Sequence, residues 1–163
     1  MKKLTLFALS TCLAFASCEE LDDKLNADTN NFLKITIDGG TEIHFDHEQM
    51  EGRIISAQQN EDNREVFVVE TTNTQPNFWV QFRADIPAGS TQPILAALPG
   101  DDASLTYNGK TYKLYNGTVN LDHFDLESFG YTEGVFTVHL NNIADASETV
   151  SVSGSFNASN YTQ

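Results

Sequence analysis

Leu105-Thr106-Tyr107-Asn108-Gly109-Lys110-Thr111-Tyr112-Lys113-Leu114-Tyr115 carries the clearest fold signal in the chain. Two alternating runs flank an Asn-Gly pair, and a two-residue type I′ turn needs positive φ at both central positions, which Asn and Gly tolerate best. The stretch therefore reads as a β-hairpin. Upstream, Leu33, Ile35 and Ile37 alternate with Lys34 and Thr36, Asp38-Gly39-Gly40 supplies turn chemistry, and Ile43 and Phe45 continue on a returning strand. Further strands are expected over 52–58, 65–72 and 77–84, then downstream over 118–122, 134–140 and 149–158. Apolar residues on both faces of 65–72 suggest a central strand. Ile86 to Pro93 reads as a connection, Ile94 to Leu98 as one helical turn or a buried loop, and Gly130 to Gly134 as a turn.

No long stretch repeats apolar residues at helical spacing. The expected fold is all-β: an antiparallel β-sandwich or flattened barrel of about nine or ten strands, since either arrangement protects the edges of so many strands.

Composition narrows the function. The 163 residues carry a net charge of −14. Nucleic-acid binding needs a basic footprint, so no nucleic-acid partner is expected. Acidity also disfavours docking of the domain surface on anionic lipid.

The N-terminus is organised differently from the rest. Lys2 and Lys3 precede an apolar run from Leu4 to Ala16, and Phe15-Ala16-Ser17-Cys18 places small residues before a cysteine. The run is too short to span a bilayer core of about 30 Å, which takes about 20 apolar residues. A basic n-region, an apolar h-region and small residues at a cut form a secretory signal. With Cys18 at the cut, the segment resembles a bacterial lipoprotein signal peptide with its lipobox. The resemblance implies a diacylglycerol thioether on Cys18 and an acylated amino group, and more than one acyl chain makes anchoring stable. The expected organisation is a signal peptide over 1–17, an acidic flexible tether over 18–30 and a single β-rich domain over 31–163. Loss of Lys2 and Lys3 with the leader makes the remaining chain still more acidic. Cys12 leaves with the leader and Cys18 is taken by lipid, so neither a disulfide nor a thiolate site is available to the domain.

Ile37-Asp38-Gly39-Gly40, Ile86-Pro87-Ala88-Gly89-Ser90-Thr91, Gly117-Thr118-Val119 and the closing Val152-Ser153-Gly154-Ser155-Phe156 follow the lipobox in that order. Together they resemble small Bacteroidota-type lipoproteins that carry a domain of unknown function. That family implies an all-β fold and an outer-membrane location on the periplasmic or cell-surface face; the acidic run after Cys18 resembles a surface-export signal. The chain departs from the family pattern in having Ser155 where Thr is usual and no Trp after Asp38-Gly39. The family supplies no catalytic residue.

Three sets of residues bear on chemistry. His44, Asp46, His47 and His123 combine imidazole and carboxylate, and three such ligands with an open position would suit a metal-assisted hydrolase if they met in space. The bland reading is polar positions on solvated strand faces. Acidic turns at Glu61 and Asp62, Asp101 and Asp102, and Asp122 with Asp125 offer oxygens for calcium but match no known calcium loop. Trp79 alternates with the Phe78, Val80, Phe82 stripe beside Gln81 and Arg83, so it could stack on a sugar ring while its neighbours bond hydroxyls, with Tyr115 and Tyr131 joining it. The bland reading makes Trp79 a core residue. The resulting expectation is a non-catalytic binding or accessory module that needs no cofactor. Its partners would be the membrane, through lipid on Cys18, and a glycan or an envelope protein. A structural envelope protein is the alternative.

Overall fold

A computed structural model describes residues 30–55, 66–83, 91–95, 103–124, 130–159 and 161–162, with backbone only at 91–95, Phe124 and 161–162. The expected signal peptide, Cys18 and the expected tether up to residue 29 lie outside these residues, as do Glu61, Asp62, Asp101, Asp102 and Asp125.

The described chain is all-β. Its strands are β1 (Phe32–Ile37), β2 (Ile43–Asp46), β3 (Met50–Ile55), β4 (Val66–Thr71), β5 (Asn77–Arg83), β6 (Thr91–Leu95), β7 (Ala103–Tyr107), β8 (Lys110–Phe124), β9 (Tyr131–Asn142), β10 (Thr149–Ser159) and β11 (Tyr161–Thr162). They form one nearly closed, barrel-like sheet in the order β11-β3-β4-β5-β7-β8-β9-β10-β1-β2, with β6 paired to β8. The Asn-Gly hairpin is present: Tyr107 pairs with Lys110, and Asn108 and Gly109 have φ of 51° and 74°.

The sequence reading misplaces three segments. Thr91 to Leu95 is a strand, not a connection or a helical turn, and it pairs antiparallel with Asn116 to Asn120 of β8. Pro93 is tolerated there because, among the described residues, β6 pairs on one side only. Of the expected turn at Gly130 to Gly134, Tyr131 to Gly134 form the first third of β9, paired with β10 from Tyr131 and with β8 from Thr132. The two strands expected over 110–115 and 118–122 are one, β8, bent by a bulge at Tyr115. An extra residue in one strand of an antiparallel pair shifts the inward–outward phase. Accordingly Tyr112 and Leu114 point into the core before the bulge and Val119 and Leu121 after it.

Inside the barrel, alternate residues of nearly every strand meet. Phe156 of β10 is fully buried. Its ring centroid lies 5.7 Å from that of Phe82 (β5), 6.4 Å from Phe136 (β9) and 6.5 Å from Phe67 (β4). Phe78 stacks on Phe136 at 5.3 Å. Tilted and offset ring pairs at these separations add to area burial because ring edges meet ring faces.

Closure happens at one seam. β11 continues β10 and runs parallel to β3, with Tyr161 opposite Arg53. Gly52 makes the approach fit: a Cβ there would sit 2.5 Å from Ala158 Cβ and 3.0 Å from Phe67 Cζ. On the same side, buried Asn31 fastens the start of the domain to the end of β10, its Oδ1 accepting the Ser159 amide N–H at 2.9 Å and the Ser159 hydroxyl at 2.8 Å. The path's other end, β2, leads back into β3 through a turn in which Asp46 Oδ1 accepts the Glu48 N–H at 3.0 Å.

Truncating Phe156 removes ring contacts to three other strands. Phe156→Ala should cost about 3–5 kcal/mol, a large share of the roughly 5–15 kcal/mol that keeps a domain folded. Phe156→Leu, which keeps most of the volume, should cost distinctly less. Urea unfolding midpoints at unchanged slope would check both; an F156A midpoint equal to wild type would contradict the packing described.

Candidate functional site

Two grooves on the outer face of the sheet are lined by described residues. The first lies over β3, β4 and β5. Strand alternation puts Trp79 outward, between the buried Phe78 and Val80. A groove of about 260 Å³ is lined by Trp79, Gln81, Val68, Glu70, Arg53 and Ile55. Trp79 is half-buried, neither a core residue nor a fully open platform. The doubly apolar pattern of β4 is explained here: Phe67 and Val69 face the core, and Val68 is buried beneath the outer groove. Arg53 donates from Nε to Glu70 Oε1 at 2.8 Å, with Glu51 at 3.7 Å. Burial, followed by the hydrogen bond and repulsion from Glu70, raises the Glu51 carboxyl above its ordinary value. Gln81 lines this groove as the sequence suggested, but Arg83, at the exposed end of β5, is not in the lining; Arg53 takes that position.

Tyr115 and Tyr131 do not join Trp79. Tyr131 lies on β9 and stacks on His123 of β8, ring centroids 4.1 Å apart. Tyr115 belongs to the second groove. The same stacking accounts for His123, and His44 meets the Phe32 ring edge-on at 6.3 Å. His44, Asp46 and exposed His47 sit on or beside β2, whereas β9, β10 and β1 separate β2 from His123 on β8. The structure therefore does not bring the four together, and among the described residues no group of three or more His, Cys, Asp or Glu is arranged to hold a metal ion.

The second groove, about 460 Å³, crosses β8, β9 and β10. Its floor follows from register: Asn116 pairs with His139 and His139 with Ser151, while Asn141 pairs with Thr149. The bulge makes two successive residues of β8, Tyr115 and Asn116, both exposed. Tyr115 is 62% exposed, an unusual value for a large ring on a strand. Asp38 forms one rim and is tied down by the Ser151 N–H, which donates to its Oδ1 at 2.7 Å. Sequence reasoning named Tyr115 but missed the polar floor, because the pairing of β8, β9 and β10 cannot be read along one strand.

A charged clasp holds the other rim, which Ala146 and Thr149 help to line. Glu148 accepts from Lys110 Nζ at 2.6 Å, from Asn142 Nδ2 at 2.6 Å and from the Tyr112 hydroxyl at 3.1 Å. These bonds tie the β9–β10 connection to the β7–β8 hairpin. Donation by Lys110, then by Asn142, holds the Glu148 carboxyl below its ordinary value, and the same bond raises Lys110. Burial, then the hydrogen bond to Glu148, raises the Tyr112 phenol.

Compared with protein-family models, curated proteins and solved structures, the chain matches none.

The clasp predicts a pH window. A lowered Glu148 contributes stability above its ordinary value of 4.5 and loses it as pH falls through the folded value. A raised Lys110 contributes below its ordinary value of 10.5 and loses it as pH rises through its folded value. Glu148→Gln should therefore melt at a lower temperature than wild type between about pH 5 and pH 10, and the difference should close in acid. Thermal melts across pH would check this; a gap that persists unchanged in acid would show that the carboxylate charge is not its source.

Proposed function

We propose that this chain is a lipid-anchored, non-catalytic binding module of the cell envelope, held at the outer membrane through Cys18 with its β-domain on the periplasmic or cell-surface side. The leader with its lipobox, the acidic tether and the all-β domain support the anchor. The observation that carries the binding role is the outward, half-buried Trp79 in a groove with Gln81 and the Arg53–Glu70 pair. A ring on a strand's outer face, flanked by hydrogen-bonding groups, offers both an apolar surface and polar direction, the combination found in ligand sites. The groove residues sit on three paired strands, so the site is held rigidly and binding requires little ordering.

Two measurements test this reading. Cells fed an alkyne-tagged fatty acid should label wild-type protein in the membrane fraction, and Cys18→Ala should abolish the label and release the protein; unlabelled wild type would overturn the anchor. Trp79 is the only tryptophan, so fluorescence of the purified chain reports on it alone. Emission should be intermediate in wavelength and quenched by acrylamide, whereas blue-shifted emission protected from acrylamide would remove Trp79 as a contact surface.

A further inference from the structure

We infer that the groove over β8, β9 and β10 is a binding site for a neutral oligosaccharide, with Tyr115 as its stacking platform. The inference deepens the binding-module reading and rests on it, but it uses a different face from the Trp79 groove.

Three observations carry it. First, strand alternation from the buried Leu114 sends Tyr115 outward, where its ring is 62% exposed, and the bulge in β8 sets Asn116 outward beside it. Bulges re-aim side chains next to functional sites, and an exposed ring offers an apolar face to the C–H side of a sugar. Second, the floor beneath that ring consists of amides and hydroxyls: Asn116, Asn141, Thr149 and Ser151, with His139 among them. A carboxamide offers two donors and an acceptor oxygen, and a hydroxyl both donates and accepts. Sugar hydroxyls have the same dual character, so either partner can supply the proton at each contact. Third, charge selects among ligands. Among the described residues no Lys or Arg lines the groove, and the one carboxylate in that lining, Asp38, already accepts the Ser151 N–H. In a chain of net charge −14, an anionic polymer would meet net repulsion; Lys113, across from Asn141 on β8, lies outside the lining. A protein partner is the weaker fit, because interface cores are rich in aromatic and apolar contacts. Apart from the tyrosine ring, the apolar lining here is Ala146 and the buried Val150.

The test is affinity electrophoresis of the purified full chain, in mild detergent, through gels containing laminarin, dextran, galactomannan or soluble starch, with polygalacturonate as the anionic comparison. At least one neutral polymer should retard wild type, and polygalacturonate should not. Tyr115→Ala should weaken retardation about tenfold, corresponding to about 1.4 kcal/mol, and Tyr115→Phe, which keeps the ring, should retain it. Asn141→Ala should weaken it as well. Unchanged melting temperatures would show that the variants remain folded. If no neutral polymer retards wild type, the sugar site is overturned while the lipid anchor stands on its own labelling result. Retardation lost in Trp79→Ala but kept in Tyr115→Ala would also overturn it, placing binding in the β3–β5 groove and sparing the module reading.

Discussion

Phe156 is the contact on which the rest of the structure depends. It belongs to β10, yet its ring meets rings from β4, β5 and β9. β10 and β4 are far apart in the strand order. They meet only because the sheet curls until its opposite walls touch, and burial of the five central phenylalanine rings favours that curl. The curl in turn requires a seam that two backbones can share. Gly52 provides it, with no side chain to hold β3 away from Ala158 and Ser159. Core and seam are thus one constraint: the rings pull the walls together, and the glycine lets them close.

Closure has a consequence for the outside. Strand alternation sends every second side chain outward, onto a surface made rigid by pairing on both edges. Trp79 and Tyr115 are presented on that surface rather than on loops. Their settings differ because the outer face is not uniform. Over β3, β4 and β5 it carries the Arg53–Glu70 pair and a buried Val68, so Trp79 lies against a partly apolar, partly charged bed. Over β8, β9 and β10 the floor is almost wholly amide and hydroxyl. The Glu148 clasp holds one rim of this floor by joining two turns that are distant in sequence, and Asp38 holds the other from the turn after β1.

Much of this was legible along the chain. The Asn-Gly turn, the alternating runs of β1, β5 and β10 and the outward setting of Trp79 follow from local rules, since a two-residue period and a positive-φ pair report on immediate neighbours. The reading failed where pairing partners decide the outcome. Thr91 to Leu95 contains a proline and alternates poorly, and it is a strand because one edge of β8 is open to it. Tyr131 to Gly134 lies between turn-forming glycines, yet two flanking strands hold it extended. Whether the histidines meet stayed open along the chain, because a sequence carries no information on strand order; β9, β10 and β1 lie between β2 and β8, His44 meets the Phe32 ring edge-on, and His123 stacks on Tyr131.

The sequence by itself determined the all-β class, the hairpin at Asn108-Gly109, the alternation of core and surface, and the acidic character that disfavours polyanions. Each is a property of neighbouring residues or of the sum of charges. Only the tertiary structure decided that the sheet curls into a nearly closed barrel, that Gly52 lies at the seam, that the bulge sets Asn116 outward beside Tyr115 over a floor from β9 and β10, and that Trp79 and Tyr115 line separate grooves. These depend on register between strands far apart in the chain, which is set where the phenylalanine rings meet.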